Sequence, residues 1–112
     1  MLSKDHRLRH ETDIAKVLRS KAGAFDNACG VKVKKNDLAV SRFAVVVGTK
    51  VSKRAIDRNR IRRQYREIIR SMMAVIKPGF DVILLTAKPS LELDYHQKEA
   101  KLRSTLHRAK LL

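Results

Sequence analysis

The stretch from residue 57 to residue 77 constrains the fold more than any other part of the sequence. Its apolar residues return with the period of an α-helix and fall within about 100° of arc, at Ile61, Tyr65, Ile68, Met72, Val75 and Ile76. The pattern predicts a long amphipathic helix over 57–77, which ends at Pro78 and Gly79. Because such a helix has to bury its apolar side, a second layer of structure is required.

Two further helices are predicted near the ends of the chain. The apolar residues of the first have i, i+3, i+4 spacing: Ile14, Val17 and Leu18. They predict a helix over 12–21, capped by Thr12 or Asp13. The apolar residues of the last share one helical face: Leu102, Leu106 and Ala109. They predict a helix over 94–110, with Asp94 as its cap.

Three segments have the composition of strands. Residues 31–34 alternate between valine and lysine, which is typical of a half-buried strand that ends at the turn-prone Asn36 and Asp37. Phe43 to Val47 is almost continuously apolar and predicts the central strand of the sheet, covered on both faces. Residues 81–86 form another apolar run, which predicts a second buried strand.

The order of these elements is α-β-β-α-β-α, with no internal repeat and no linker. We therefore expect one α+β domain over residues 1–112, built as a two-layer sandwich of helices on a small mixed sheet.

The charge balance indicates the class of partner. The 112 residues include 26 Lys and Arg against 11 Asp and Glu, a formal net charge of +15. Such an excess favours binding to a polyanion, which would relieve the self-repulsion. Nucleic acid is preferred over a membrane, because the apolar runs are far shorter than the roughly 18 residues of a spanning helix. The first residues do not form a secretory signal, and we expect a cytoplasmic location.

The positive charge concentrates in residues 53–70, which hold eight basic and two acidic residues. Asn59, Arg63, Arg66 and Arg70 form a stripe almost opposite the apolar face of the predicted helix. Arginine can engage two phosphate oxygens at once, so this stripe favours RNA recognition over an ordinary solvated surface. The candidate RNA-binding residues are Lys50, Lys53, Arg54, Arg58, Asn59, Arg60, Arg62, Arg63, Arg66 and Arg70.

The sequence predicts neither a protein catalyst nor a metal site. It has no glycine-rich phosphate loop, no HExxH and no GxSxG motif, and its four histidines lack ligand spacing. The single Cys29 excludes an internal disulfide and is predicted to be a small buried hydrophobic residue.

One motif resembles a known family. Arg58-Asn59-Arg60, followed by Ile61-Arg62-Arg63 and preceded by Lys50 to Arg54, resembles the signature of the bacterial ribonuclease P protein subunit. The likeness extends over nearly the whole chain, from Arg7-Leu8-Arg9 to Ala87-Lys88-Pro89. It implies a fold like domain 2 of ribosomal protein S5, with a left-handed crossover through the motif helix, contrary to the usual right-handed rule.

The resemblance also implies a division of labour. The RNA subunit would carry the hydrolysis with Mg²⁺ at its own active site, and one protein per RNA would grip that RNA with the motif helix. A cleft between the first helix and the sheet would hold the single-stranded 5′ leader of precursor tRNA. The residues expected at this cleft are Arg7, Arg9, Ile14, Leu18, Val33 and Lys88.

The family commonly lines this cleft with aromatic residues, whereas this sequence has Ile14, Leu18 and Val33 there. Its own aromatics are mostly assigned to the core: Phe25, Phe43, Tyr65, Phe80 and Tyr95.

Three alternatives remain at this point. A small basic ribosomal or RNA-scaffold protein would have the same size and charge. A major-groove DNA reader lacks the expected leucine heptad and helix-turn-helix spacing. A stand-alone nuclease would need reactive groups that the motifs do not supply.

Overall fold

The computed structural model describes residues 2–112, and within them the chain forms four strands, three α-helices and two short 3₁₀ segments. The strands are β1 (Gly23–Phe25), β2 (Cys29–Lys35), β3 (Arg42–Val46) and β4 (Phe80–Thr86). The α-helices are α1 (Glu11–Leu18), α2 (Ala55–Ser71) and α3 (Tyr95–Arg108). The 3₁₀ segments are Lys4–His6 and Lys88–Glu92. The α+β class is confirmed, with one strand more than the sequence predicted.

The strands form one mixed sheet in the order β1-β2-β4-β3. β2 and β4 pair antiparallel, from Cys29 opposite Thr86 to Lys35 opposite Phe80. β3 runs parallel to β4, and α2 connects the two strands. This β-α-β unit is the one for which the resemblance implies a left-handed crossover, and its hand stays a prediction.

The prediction that Phe43 to Val47 forms the centre of the sheet is wrong, because β3 is an edge strand. Its run of apolar residues does not reflect burial on both faces, since Val46 is 43% exposed. The outer edge of β3 is instead covered by the amino-terminal segment, where the Leu8 N–H donates to the Phe43 carbonyl at 2.9 Å. β4 is the strand buried on both faces, through Val82, Ile83 and Leu84.

Helices cover the two faces of the sheet unequally. α2 and α3 pack on the face that carries Val31, Val33, Phe43, Val45, Val82 and Leu84. On the opposite face, Ile83 packs against Val17 of α1 and against Leu8 in a smaller cluster. Successive residues of a strand point to opposite faces, so β4 contributes to both clusters. α1 is short and leaves part of its face of the sheet open.

The helix ends differ from the predicted ones. α2 begins two residues earlier than predicted and ends six residues earlier, after which the N–H groups of Val75 and Ile76 both donate to the Met72 carbonyl. These turns keep Ile76 buried and leave Val75 60% exposed. The apolar period therefore continued past the true end of the helix.

The predicted caps have different outcomes. α1 runs over Glu11–Leu18 with His10 as its N-cap, so neither Thr12 nor Asp13 caps it. For α3 the prediction is confirmed: Asp94 Oδ1 accepts from the Gln97 N–H at 2.8 Å. The Gln97 side chain accepts in return from the Asp94 N–H at 2.9 Å, which completes a capping box.

An ion-pair network centred on Arg42 joins α1 to the sheet. Arg42 on β3 donates Nε to Asp81 Oδ1 at 2.8 Å and Nη2 to Asp81 Oδ2 at 2.7 Å. The same Nη2 lies 3.4 Å from Asp13 Oδ2 of α1. The hydrogen bonds that Arg42 donates to Asp81 raise the pKa of Arg42, and Asn36 also donates to Asp81. This network fixes α1 over the parallel pair β3 and β4.

We predict that Arg42→Met destabilises the fold by about 3 kcal/mol, because it leaves the buried Asp81 carboxylate without its cation. Urea unfolding monitored by circular dichroism measures this change. Arg103→Met, at an exposed position of α3, is the matched control and should change stability by no more than about 0.5 kcal/mol. A loss below about 1 kcal/mol for Arg42→Met would contradict the structural role of the pair.

Candidate nucleic-acid interface

α2 is divided lengthwise into an apolar and a cationic side. Its inward side chains Ile61, Tyr65 and Ile68 are buried, as the periodicity predicted, and Ile69 is buried beside them. The Tyr65 hydroxyl lies 2.7 Å from Ser90 Oγ, which donates to the Ala28 carbonyl at 2.7 Å. Burial raises the pKa of Tyr65. Because one side is anchored in this way, the opposite side is held in a fixed orientation toward solvent.

The outward side of α2 carries a connected group of polar side chains, which we call the α2 basic face: Asn59, Arg62, Arg63 and Arg66. With Glu67 they line a depression of about 290 Å³. Arg62 Nη1 donates to Asn59 Oδ1 at 2.8 Å, so Asn59 holds a neighbouring guanidinium in place. Arg63 is exposed, and within residues 2–112 it has no ion pair or hydrogen bond.

Hydrogen bonds between the loop before α2 and the first turn of the helix fix the conformation of the loop. Ser52 Oγ donates to Asp57 Oδ2 at 3.0 Å and accepts from the Arg54 N–H at 3.1 Å. Arg58 Nη1 donates to the Ser52 carbonyl at 3.0 Å and to the Lys53 carbonyl at 2.9 Å. Asp57 is thus an acid in the first turn of α2, where a negative charge is favoured by the helix dipole. Arg58, a candidate RNA-binding residue, has a positioning role in this loop.

The carboxylates of the segment neutralise few of its cations. Asp57 lies 3.9 Å from Arg54 Nε and 3.6 Å from Arg60 Nη1, and both arginine side chains remain exposed. Glu67 pairs with Arg70 at 2.9 Å; the same hydrogen bond lowers the pKa of Glu67 and raises that of Arg70. Exposed pairs of this kind contribute little and are open to competition by phosphate. The segment therefore presents a net positive surface.

A second depression, of about 520 Å³, is lined by two lysines of the loop before α2 and by the first residue of the second 3₁₀ segment, and we call it the lysine pocket: Lys50, Lys53 and Lys88. Lys88 was expected at the leader cleft. The structure instead places it with the two loop lysines that precede α2, so it extends the cationic surface of that helix.

The open face beside α1 contains an apolar row that crosses the sheet. Phe25 of β1 pairs with Gly30, Gly30 pairs with Leu85, and Leu85 pairs with Val46. Paired residues share a face, and Leu85 packs in the α1 cluster, so the row lies on the α1 side. We call this row, together with Ile14 and Leu18, the α1 cleft.

Of the residues expected at the cleft, Ile14 and Leu18 lie there. Ile14 is partly buried against the sheet, and Leu18 is 42% exposed. The placement of Val33 there is wrong, because it is 5% exposed and points into the core under α2 and α3. The alternation of β2 puts Lys32 on the cleft side in its place, where Nζ donates to the Leu18 carbonyl at 2.7 Å.

Arg7 and Arg9 lie elsewhere than the cleft. Together with Arg66 they line a depression at the outer edge of β3. Arg7 pairs with Phe43 across this edge, and Phe43 faces α2. The structure therefore groups the amino-terminal arginines with α2.

Phe25 was not predicted as a cleft residue, since the sequence placed it among five aromatics of which most were assigned to the core. It is 58% exposed, and a Cβ at Gly30 would lie 2.1 Å from its ring, so one side of the ring rests on Gly30. The three residues of β1 are too few to show a period. The turn-prone Asp26 and Asn27 before β2 were the available signal of this hairpin.

α3 fixes the hairpin that carries Phe25. Arg108 Nη2 donates to the Phe25 carbonyl at 3.0 Å, and Lys101 Nζ lies 3.4 Å from Asp26 Oδ1. The Ala28 N–H lowers the pKa of Asp26, and Lys101 lowers it further. The ring is therefore held over Gly30 from the opposite side of the hairpin.

Within the described residues, no three histidine, cysteine, aspartate or glutamate side chains cluster as ligands of a metal ion. None of the helices formed by residues 2–112 is both long and apolar enough to cross a bilayer. Cys29 is buried, as predicted, and its Sγ lies 3.9 Å from Thr105 Oγ1.

Comparison with known sequences identifies the family. The sequence profile of the family described as Ribonuclease P matches residues 2–110. This chain belongs to the ribonuclease P protein family. The ribonuclease P protein component of Cyanothece sp. is 33% identical, in an alignment that covers all of this chain and 98% of that protein. The component from Pseudanabaena sp. is 30% identical, with coverages of 100% and 97%.

Solved ribonuclease P proteins have the same fold. The protein from Thermotoga maritima superposes with a TM-score of 0.82 at 30% identity, covering 91% of this chain and 96% of its own. The protein from Staphylococcus aureus gives 0.86 over 95% and 96% of the two chains, and its 21% identity supports the fold alone. The chain is thus a component of the RNA-containing endoribonuclease that processes tRNA 5′ ends. The ribosomal or RNA-scaffold alternative is set aside.

Arg63 and Arg70 of α2 are expected to contribute differently to RNA binding, because Arg70 pairs with Glu67. Arg63→Gln should weaken RNA binding and reduce the slope of log affinity against log salt concentration by about 0.7 to 0.9, the loss of one phosphate contact. Arg70→Gln, on the same helix, should have the smaller effect, since Glu67 already offsets its charge. Filter binding at several salt concentrations measures both variants. Equal slopes for Arg63→Gln and the unaltered chain would contradict this assignment.

Proposed function

We propose that this ribonuclease P protein grips the catalytic RNA with the α2 basic face and the lysine pocket, one protein per RNA. The observation that carries the proposal is the division of α2: its apolar side is locked in the core, and its arginines outnumber the carboxylates beside them. Because the helix that carries them has a fixed orientation, these guanidinium groups can bind RNA phosphates with a smaller loss of conformational entropy.

The chemistry itself is assigned to the RNA. In this proposal the RNA subunit holds the Mg²⁺ ions and hydrolyses the phosphodiester bond, as the family resemblance implies. The protein supplies positive charge, which neutralises phosphates that would otherwise need additional cations. A role in processing precursor tRNA also favours a cytoplasmic location for this protein.

The α1 cleft is proposed as the site of the single-stranded 5′ leader of precursor tRNA. Leu18, Val46 and Phe25 offer exposed apolar surface along one side of the sheet. An aromatic ring on such a surface can stack on an unpaired base, which contributes about 1 to 3 kcal/mol. Phe25 therefore supplies the stacking surface that the sequence at positions 14, 18 and 33 does not.

The proposal predicts stimulation of RNA-catalysed cleavage. The purified chain, mixed with its RNA and precursor tRNA, should raise the cleavage rate most at low magnesium, where phosphate neutralisation is limiting. The triple variant Arg62→Gln, Arg63→Gln, Arg66→Gln should stimulate far less, while Arg103→Gln should behave as the unaltered chain does. Absence of stimulation with both components folded would refute the proposed function.

The leader proposal predicts a substrate-dependent effect of Phe25. Phe25→Ala should weaken binding of precursor tRNA to the assembled enzyme by about 1 kcal/mol or more, and should leave binding of mature tRNA unchanged. Phe25→Tyr keeps the ring and should restore affinity. Leu38→Ala removes a similarly exposed apolar side chain from a loop and is the control. An equal loss for mature tRNA would place Phe25 outside the leader site.

A further inference from the structure

Arg7 is fixed beside α2 by the backbone of the amino-terminal segment. The Leu8 N–H donates to the Phe43 carbonyl at 2.9 Å, and Arg7 bridges to Phe43 as a parallel partner. The Arg7 Nε donates to the Leu2 carbonyl at 2.9 Å. Since bridged residues share a face, the guanidinium lies on the side of the sheet that α2 covers.

Arg66 extends from α2 toward the same place. Arg7, Arg9 and Arg66 line a depression of about 230 Å³ whose other walls are mainly apolar: Leu2, Leu8, Phe43, Ala44 and Val45. Burial lowers the pKa of Arg66, and the positive charges of Arg62 and Arg7 lower it further. Within residues 2–112, Arg66 has no carboxylate or hydrogen-bond partner.

Other arginines of the molecule are differently placed. Arg42 is held by Asp81, Arg60 lies near Asp57, and Arg70 pairs with Glu67. Arg7, Arg9 and Arg66 instead bring like charges together around one depression, and Arg66 is partly removed from water there. A phosphate group would relieve both the repulsion and the loss of hydration, because its negatively charged oxygens can accept hydrogen bonds from several guanidinium groups. A free phosphate and an RNA backbone phosphate share this chemistry.

We propose that Arg7 and Arg66 form a pocket for one backbone phosphate of RNA, clamped between the amino-terminal segment and α2. The inference rests on the proposed function and adds a specific ligand to it. Two guanidinium forks can each donate two hydrogen bonds to the same phosphate. The amino-terminal segment and α2 thereby act as one binding element, although they are distant in sequence.

A double-mutant cycle on RNA binding tests the pocket. Arg7→Gln and Arg66→Gln should each weaken binding roughly tenfold, and the double variant should bind about as the single ones do. The salt slope should fall by about 0.7 to 0.9 in the double variant as in each single one, because one phosphate contact is lost in all three. Arg103→Gln is the matched control, and melting temperatures show that every variant is folded.

The free protein provides a second readout. Inorganic phosphate should raise the melting temperature of the unaltered chain more than chloride does at equal ionic strength, and Arg66→Gln should remove this excess. An excess that persists in Arg66→Gln would place the anion elsewhere and overturn the pocket. Excess stabilisation together with additive losses in RNA binding would assign the pocket to a free anion and overturn the RNA clamp.

These measurements distinguish failure of the proposed function from failure of the phosphate pocket. If the unaltered chain does not bind the RNA, the proposed function fails and the RNA ligand fails with it. If the unaltered chain binds and the double variant shows additive losses with two lost phosphate contacts, the single-phosphate pocket is wrong and the proposed function stands. Non-additive losses support the clamp unless the stabilisation by inorganic phosphate persists in Arg66→Gln, which overturns it.

Discussion

The architecture depends on one constraint, which is that α2 has to be apolar along one side and cationic along the other. Ile61, Tyr65 and Ile68 fix the inner side against the sheet and α3. Since the helix cannot rotate without exposing these side chains, the direction of its outward arginines follows from the packing of the core. The repulsion among those arginines is a cost of the free protein, and binding to an RNA backbone removes it.

The residues of the signature motif Arg58-Asn59-Arg60 have two kinds of role, since some position neighbouring groups and one extends into solvent. Arg58 donates to two carbonyls of the preceding loop, and Asn59 accepts from Arg62. These two residues position other cations, whereas Arg60 extends outward with its side chain 45% exposed. The motif therefore specifies a loop geometry as much as a set of exposed cations.

Long periodic segments could be predicted from the sequence, and relations between distant segments could not. The apolar face of α2 and the Asp94 cap follow from local spacing, and both are confirmed. β3 lies at the edge because β4 pairs with β2 on one side and with β3 on the other. A run of apolar residues in β3 does not indicate how the strands pair. The placement of Val33 was wrong because the alternation in β2 separates its valines from its lysines but does not show which of the two groups faces the cleft. Phe25 was missed because its exposed position over Gly30 depends on the pairing of β1 with β2, which the three residues of β1 do not indicate.

The claim that α2 faces the catalytic RNA is tested most directly by site-specific crosslinking. A photoreactive benzophenone side chain placed at position 63, and in a control chain at position 103, can be irradiated in the assembled enzyme and the attached RNA sequenced. We expect crosslinks from position 63 to the ribonuclease P RNA and a much weaker signal from position 103. Crosslinks from position 103 with none from position 63 would show that the RNA binds another surface, and would contradict this account.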